Sequence, residues 1–216
     1  MQAKRAAAIL CASVISIDTF CWAVALVTTM IQASAQLAAP KEIISSIFWG
    51  SVALGMTPFI AHKHLVDERK VVFTWVLTST ALYAFIAYYS AYGNQVILTN
   101  PATLIAMGTL FFMVYPATLS YASKQLGTRD RAGVVAGIAA PVAVAISGLL
   151  ASLARSQSLE QNLFLTLWVR AAALPPAVYI ALAPPPQQRL EEERIEWRKA
   201  LTYYLISLSV IWIVHP

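Results

Sequence analysis

Long apolar segments alternate with short charged or polar linkers along the 216-residue chain. Most of these segments have about 20 residues, the length of an α-helix that crosses the hydrocarbon core of a bilayer. The pattern predicts six spans, at residues 6–31, 43–61, 71–92, 101–123, 132–154 and 162–183. Backbone groups in lipid have no water to bond, so each span is expected to be helical. The predicted fold class is an all-α, polytopic transmembrane helix bundle.

The chain beyond the sixth span divides into two further segments. Residues 1–186 form the predicted six-helix domain, which three consecutive prolines end. Residues 187–199 are dense in charge and predict a solvated cytoplasmic helix. Residues 200–216 are apolar but short for a span. They are interpreted as a marginal seventh span, an interfacial helix, or the beginning of a longer span.

Composition excludes an ordinary soluble domain. Hydrophobic residues make up 59% of the chain and charged residues only 12%, against about 25% charged in soluble globular domains. The net charge of +5 does not indicate a nucleic-acid partner, because the basic residues lie in linkers between apolar segments. The lipid bilayer is therefore the first predicted partner, and no nucleic acid is expected.

The basic linkers predict the orientation of the bundle. Twelve Lys and Arg residues fall in the N-terminus, the linkers after spans two and four, and the tail, whereas the alternate linkers hold only Lys41 and Arg155. The positive-inside rule then places the N-terminus on the cytoplasmic side of a cell membrane. We expect this membrane to be the cytoplasmic membrane of a bacterium. The segment 6–31 is too long for the core of a cleaved signal peptide, so we expect it to be retained as a span.

Two ionisable residues lie well inside predicted spans. Asp18 is near the middle of the first span and Arg170 is in the sixth. A charge in hydrocarbon is costly and usually faces a cavity or a partner. As functional residues, Asp18 would bind a proton or a cationic group, and Arg170 would bind an anion or Asp18 itself. The alternative is a structural ion pair, or an arginine that extends towards the headgroups.

Small residues and prolines in three spans are candidates for helix packing or hinges. Glycines spaced four apart let helices approach closely, and a proline removes one backbone hydrogen bond. Ser51 and Gly55 in the second span show the same pattern more weakly. The candidate positions are Gly133, Gly137, Pro141, Gly148, Pro58 and Pro116.

Sequence patterns of catalysis and metal binding are absent. The chain has no zinc-protease, nucleophile-elbow or phosphate-loop motif, so no catalytic residue and no enzyme activity is predicted. His62 and His64 lie close to Asp67, but alternate residues on a helix point apart. We interpret this linker as a basic loop beside the membrane, and we expect no metal and no cofactor.

The layout of spans and linkers resembles one half of a major facilitator superfamily transporter. The loop 62–70 lies where that family has its Gly-x-x-x-Asp-Arg-x-Gly-Arg-Arg motif, with Asp67 at the acid and Arg69 and Lys70 in the motif-like loop. Lys63 and Lys70 stand where the motif has glycines, and Glu68 stands where it has arginine.

This resemblance covers about residues 6–199. It implies a three-plus-three arrangement of helices around a central cleft. Spans one, two, four and five would line the cleft, and spans three and six would lie outside it. Asp18 then belongs to a cleft-lining span and Arg170 to an outer one.

Two functions from different classes are consistent with the sequence. The first is a secondary transporter or half-transporter for a small solute, with Asp18 as the coupling or binding acid. The resemblance to half of a transporter implies a homodimer, a fragment of a longer protein, or assembly with other membrane subunits. The second is a non-catalytic membrane subunit or assembly factor of a larger membrane complex. Neither a substrate nor a coupling ion is predicted.

Overall fold

The computed structural model describes residues 2–37, 40–62, 67–126 and 129–183. Within these ranges the chain forms seven α-helices and one short 3-10 helix, with no strand. The segments 187–199 and 200–216 lie outside the described residues. In chain order the elements are α1 (Gln2–Gln36), α2 (Lys41–His62), α3 (Glu68–Ala91), the 3-10 helix (Gln95–Leu98), α4 (Pro101–Leu126), α5 (Arg129–Ser156), α6 (Leu159–Ala171) and α7 (Leu174–Leu182).

The predicted all-α class is confirmed over the described residues. Four stretches are long and apolar enough to cross a membrane: Ala6–Gln36, Glu68–Ala91, Pro101–Gln125 and Leu159–Leu182. They correspond to the first, third, fourth and sixth predicted spans. A shorter apolar stretch, Pro141–Ala154, falls within the fifth. The helices are therefore compatible with a membrane protein.

The sixth predicted span requires a correction, because it is not one regular helix. α6 ends at Ala171 and α7 begins at Leu174. Pro175 and Pro176 have no backbone N–H, so the usual helical hydrogen bonds cannot form there. The chain instead tightens into a turn in which the Ala173 N–H donates to the Arg170 carbonyl at 3.2 Å.

The helix pairs repeat within the bundle. α1 contacts α2, α4, α5, α6 and α7, and α4 contacts α1, α2, α3 and α5. The contacting pairs correspond to one another if α1 is matched with α4, α2 with α5, and α3 with α6. Under this helix exchange the α2/α4 pair corresponds to the α1/α5 pair, and the α3/α4 pair to the α1/α6 pair. The α1/α2 pair likewise corresponds to the α4/α5 pair. The first three helices therefore pack on the next three in a nearly reciprocal pattern.

The two ends of the bundle hold separate hydrophobic clusters. The Glu68 end contains the starts of α1 and α3 and the ends of α4 and α7. Its core, which we name the Ile15 cluster, includes Ala8, Ala12, Ile15, Val72, Val76, Tyr121, Ala173, Ala177 and Ile180. The opposite end, which we name the Asn162 end, contains the end of α1 and the starts of α4 and α6. Its core includes Trp22, Leu26, Met30, Phe48, Tyr83, Leu98, Leu104 and Leu163.

α2 and α4 approach each other closely at two glycines. A Cβ added to Gly55 would lie 2.4 Å from the Thr109 carbonyl oxygen, and one added to Gly108 would lie 1.9 Å from the Ser51 Oγ. The Ser51 hydroxyl donates to its own helix at 2.6 Å and lies 3.3 Å from the Leu104 carbonyl of α4. The absence of side chains at the glycines is what permits this spacing.

We expect Gly55→Ala to destabilise the bundle by about 1–3 kcal/mol, because the new methyl group meets backbone that cannot move aside easily. Gly148→Ala is the matched control, since a Cβ there has nothing within 4 Å. Thermal unfolding of both variants in the same detergent measures the difference. Equal unfolding temperatures would contradict the close α2/α4 contact.

Candidate functional site

Asp18 and Arg170 form an ion pair inside the bundle. The Arg170 Nη1 donates to the Asp18 Oδ2 at 2.9 Å, although 152 positions separate the residues in sequence. The Arg170 side chain is 0% exposed and the Asp18 side chain 6% exposed. The two ionisable residues that the sequence singled out are therefore direct partners, one from α1 and one from α6.

Two further side chains contact Arg170, and a third packs on one of them. Its Nε donates to the Ser79 Oγ of α3 at 2.8 Å. Its guanidinium carbon lies 4.8 Å from the centre of the Trp22 ring, in cation–π geometry. The Trp22 ring in turn meets the Tyr83 ring edge to face at 6.2 Å. Arg170 thus joins α6 to both α1 and α3.

Sequence reasoning missed Ser79, Trp22 and Tyr83. Ser79 and Tyr83 are one turn apart on α3, and Trp22 is one turn beyond Asp18 on α1. The helical spacing of Trp22 from Asp18 was the one available signal, because serine and tyrosine are common in spans. The resemblance implies that Arg170 belongs to a helix outside the central cleft. In the structure its side chain is buried against α1 and α3.

The pair determines the electrostatics of this region. Each charge would be strongly unfavourable alone in a medium of low dielectric constant, and the partner together with the surrounding donors offsets much of that cost. The two partners are not equivalent. Asp18 can become neutral by taking up a proton, whereas an arginine keeps its charge under physiological conditions. The arrangement can therefore change its net charge only at Asp18.

A row of polar side chains continues from Arg170 towards the Asn162 end. Asn162, Thr166 and Arg170 are four residues apart and share one face of α6. The Thr166 and Thr29 hydroxyls are 3.1 Å apart across the α6/α1 contact. The Asn162 Nδ2 donates to the Gln32 Oε1 and to the Ala154 carbonyl, both at 2.7 Å. Polar atoms thus follow one another along α1 and α6 to the end of the bundle.

The motif-like loop supplies a cap for α3. The Asp67 carboxylate accepts from the Arg69 backbone N–H at 3.1 Å, and it accepts from the Arg69 Nε and Nη2 at 3.0 and 2.7 Å. These hydrogen bonds from Arg69 hold the pKa of Asp67 below its usual range, against a smaller opposing effect of burial. Arg69 also donates to the Ala183 carbonyl after α7. Lys70 is exposed to solvent.

Glu68 forms a second buried contact at the same end. Its side chain is 6% exposed, pairs with Lys124, and accepts from the Ser120 hydroxyl at 3.0 Å. This Glu68 junction joins the first turn of α3 to the end of α4. The Asn162 junction, made with Gln32, joins the first turn of α6 to the end of α1. The two junctions are equivalent under the helix exchange described above, but one is charged and the other neutral.

The candidate packing and hinge residues have varied surroundings. Pro116 is half-buried in α4 and Pro141 is exposed on α5, and both helices continue through their prolines. Gly148 is exposed, with no neighbour that a Cβ would meet. The surroundings of Pro58, Gly133 and Gly137 lie outside the described residues. Close glycine contact is observed at Gly55, where the sequence pattern was weaker, and at Gly108, which the sequence analysis did not name.

No protein-family model, curated protein or solved structure matches this chain. The function of the site is accordingly inferred from its geometry.

We expect the two halves of the ion pair to respond unequally to substitution. Asp18→Leu leaves Arg170 charged and buried, which costs about 3–5 kcal/mol. Arg170→Met costs less, because Asp18 can then take up a proton and become neutral. Unfolding of both variants and of the double variant in one lipid-detergent mixture measures this. The double variant should recover most of the loss, and strictly additive losses would contradict a direct pair.

Proposed function

We propose that this chain is a secondary transporter, or one half of one, that moves a small solute across a cell membrane by alternating access. The observation that carries the proposal is the Asp18–Arg170 pair, buried inside the bundle. Asp18 is assigned as the coupling acid, and Arg170 as the charge that holds it in place.

The chemistry of the pair favours coupling over simple stabilisation. Replacing a buried ion pair by well-packed apolar residues is often neutral or stabilising, so such a pair is weak evidence for a purely structural role. Ionisable residues within spans commonly mark ion or proton pathways. When Asp18 takes up a proton, Arg170 keeps its contacts with the Trp22 ring and the Ser79 hydroxyl. The site thus has two charge states, with Asp18 ionised or neutral, and Arg170 has the same neighbouring side chains in both.

The helix pairing supports the architecture of a carrier. Many secondary transporters are built from repeats related by an axis in the membrane plane, with binding residues near mid-depth. The reciprocal pairing of α1, α2 and α3 with α4, α5 and α6 is what such repeats would produce. We infer six spans with the N-terminus in the cytoplasm, which places the Glu68 end on the inner side. We also propose that this chain is related to one half of a major facilitator superfamily transporter.

The proposed carrier has one six-span unit per chain, and two copies would supply the two halves of a transporter. α2 contacts only α1 and α4, and α5 contacts the same two helices, among the closely packed pairs of the described residues. These two helices therefore lie at the edges of the bundle, where a second copy can pack.

We expect Asp18→Asn to abolish coupled transport, because the amide cannot take up a proton. The measurement uses proteoliposomes with a trapped pH dye, to which cationic, anionic and neutral solutes are added in turn. Wild-type protein should move protons with at least one solute. Glu160→Gln is the control, since it removes an exposed acid from the first turn of α6.

A different outcome would favour the membrane-subunit function. In that case Asp18→Asn would lower only the unfolding temperature, and gentle extraction would recover the chain in a fixed ratio with other membrane proteins. Native mass spectrometry distinguishes that complex from a homodimer of this chain.

We expect residues 94 and 129 to lie on opposite sides of the membrane. In a background with Cys11 and Cys21 replaced by alanine, Asn94→Cys should react with an impermeant maleimide on intact cells. Arg129→Cys should react only after permeabilisation. Labelling of both positions on intact cells would contradict the proposed six-span threading.

A further inference from the structure

We propose that α1, α3 and α6 enclose a hydrated proton path that runs from the Asn162 end of the bundle to Asp18. The path follows six side chains that we name the polar seam: Gln32 and Thr29 of α1, Asn162 and Thr166 of α6, and Tyr83 and Ser79 of α3. The inference deepens the proposed function, on which it rests, by assigning the side from which Asp18 receives its proton.

The outer part of the seam is connected by hydrogen bonds. Gln32 is half-buried at the end of α1, and its Nε2 donates to the Gln157 carbonyl at 3.0 Å. The Gln32 Oε1 accepts from Asn162 at 2.7 Å. One turn further along α6, the Thr166 hydroxyl lies 2.8 Å from the Asn162 carbonyl and 3.1 Å from the Thr29 hydroxyl. The entrance therefore lies where water can reach it.

Buried groups along the seam have unused hydrogen-bonding capacity. Among the described residues, the Asn162 Oδ1 of the seam and the Arg170 Nη2 at its inner end are buried without a hydrogen-bond partner. The buried Tyr83 hydroxyl lies close enough to the Thr166 and Thr29 hydroxyls to interact with them. Their side chains are at most 1% exposed. Buried polar groups of this kind are normally satisfied by internal water, which makes about three hydrogen bonds per molecule. The two unpartnered atoms, at Asn162 and at Arg170, lie on either side of the Thr166 hydroxyl and point to bound water.

The spacing of the seam suits single water molecules. Residues four apart on a helix are separated by about 6 Å along one face, a distance that two successive hydrogen bonds through one water can cover. Thr166 and Arg170 are separated in this way. Tyr83 lies beside this interval, because its hydroxyl is close to the Thr166 and Thr29 hydroxyls. A water there would meet donors and acceptors from both α3 and α6.

The opposite side of the ion pair has a different character. Towards the Glu68 end, the described side chains that join α1, α3 and α7 are mostly apolar members of the Ile15 cluster, such as Ala12, Val76 and Ala177. The Ser16 hydroxyl donates to the Ala12 carbonyl of its own helix at 2.9 Å, and the Tyr121 hydroxyl is also buried at this end. Apolar cavities of small size stay dry and offer no relay for a proton. Among the described residues, the polar seam thus approaches Asp18 from the Asn162 end, the outer side in the proposed topology.

One proton is transferred along the seam from bulk water to Asp18. A hydronium ion at Gln32 gives a proton to the first internal water, and each water or threonine hydroxyl accepts one proton and passes on another. The last proton forms an O–H bond on the Asp18 carboxylate. The ion pair then changes from zero net charge to +1, which remains on Arg170.

The experiment follows protonation of Asp18 in lipid nanodiscs by time-resolved infrared spectroscopy after an acid step. The reporter is the carboxylic acid C=O band that Asp18→Asn lacks. Thr29→Val/Thr166→Val should slow the appearance of this band about tenfold, the effect of about one lost hydrogen bond. Tyr83→Phe, which keeps the packing of the ring, should slow it in the same direction.

Thr118→Val is the matched control, because Thr118 is a buried threonine on α4 that bonds its own helix at 2.7 Å, away from the seam. It should leave the rate unchanged. An unchanged rate in Thr29→Val/Thr166→Val and in Tyr83→Phe would overturn the path and show that the seam only holds the helices together. If Asp18→Asn still abolished coupled transport, the carrier would stand without the path. Slowed protonation with transport insensitive to Asp18→Asn would support the path and overturn the carrier.

Discussion

The burial of one guanidinium group constrains the whole bundle. Arg170 cannot lose its charge, so the chain must supply a carboxylate, a hydroxyl and an aromatic face at one point inside an apolar structure. These come from α1 and α3, which fixes how α6 is rotated and how deep it sits. The apolar packing on either side then follows the helices that the ion pair has oriented. The pair thus links three helices that hydrophobic contact alone would leave free to rotate.

The reciprocal helix pairs show how six helices can surround such a group. α1 and α4 lie at the centre and contact each other, while α2 and α5 pack at the edges. Among the described residues, the charges buried in the middle of the bundle, Asp18 and Arg170, lie on the α1 side. At the α2/α4 crossing, glycine and serine bring the backbones close together. The two central helices therefore differ: α1 meets α6 through a buried charge pair, whereas α4 meets α2 through close backbone packing.

The sequence predicted the helical class, and it predicted the two charged residues, because long apolar segments and charges within them are rare enough to be informative. It did not predict Ser79 or Trp22 beside Arg170, since serine and tryptophan occur at many positions in spans. The rotation of each helix decides which of them meet. The end of α6 at Ala171 was not predicted, because the apolar length of residues 162–183 suits a single span, whereas Pro175 and Pro176 lack the N–H groups that a continuous helix needs. Gly55 makes a closer contact than the exposed Gly148 for the same reason: packing depends on the neighbouring helix.

The Glu68 and Asn162 junctions hold equivalent pairs of helices at opposite ends of the bundle. The first depends on attraction between a carboxylate and an ammonium group that is 26% exposed, whereas the second depends on neutral amides. Mobile ions weaken attraction between partly exposed charges and leave amide hydrogen bonds almost unaffected. Raising the ionic strength should therefore loosen α3 from α4 while α6 stays attached to α1, so the two ends of the bundle would respond differently to salt.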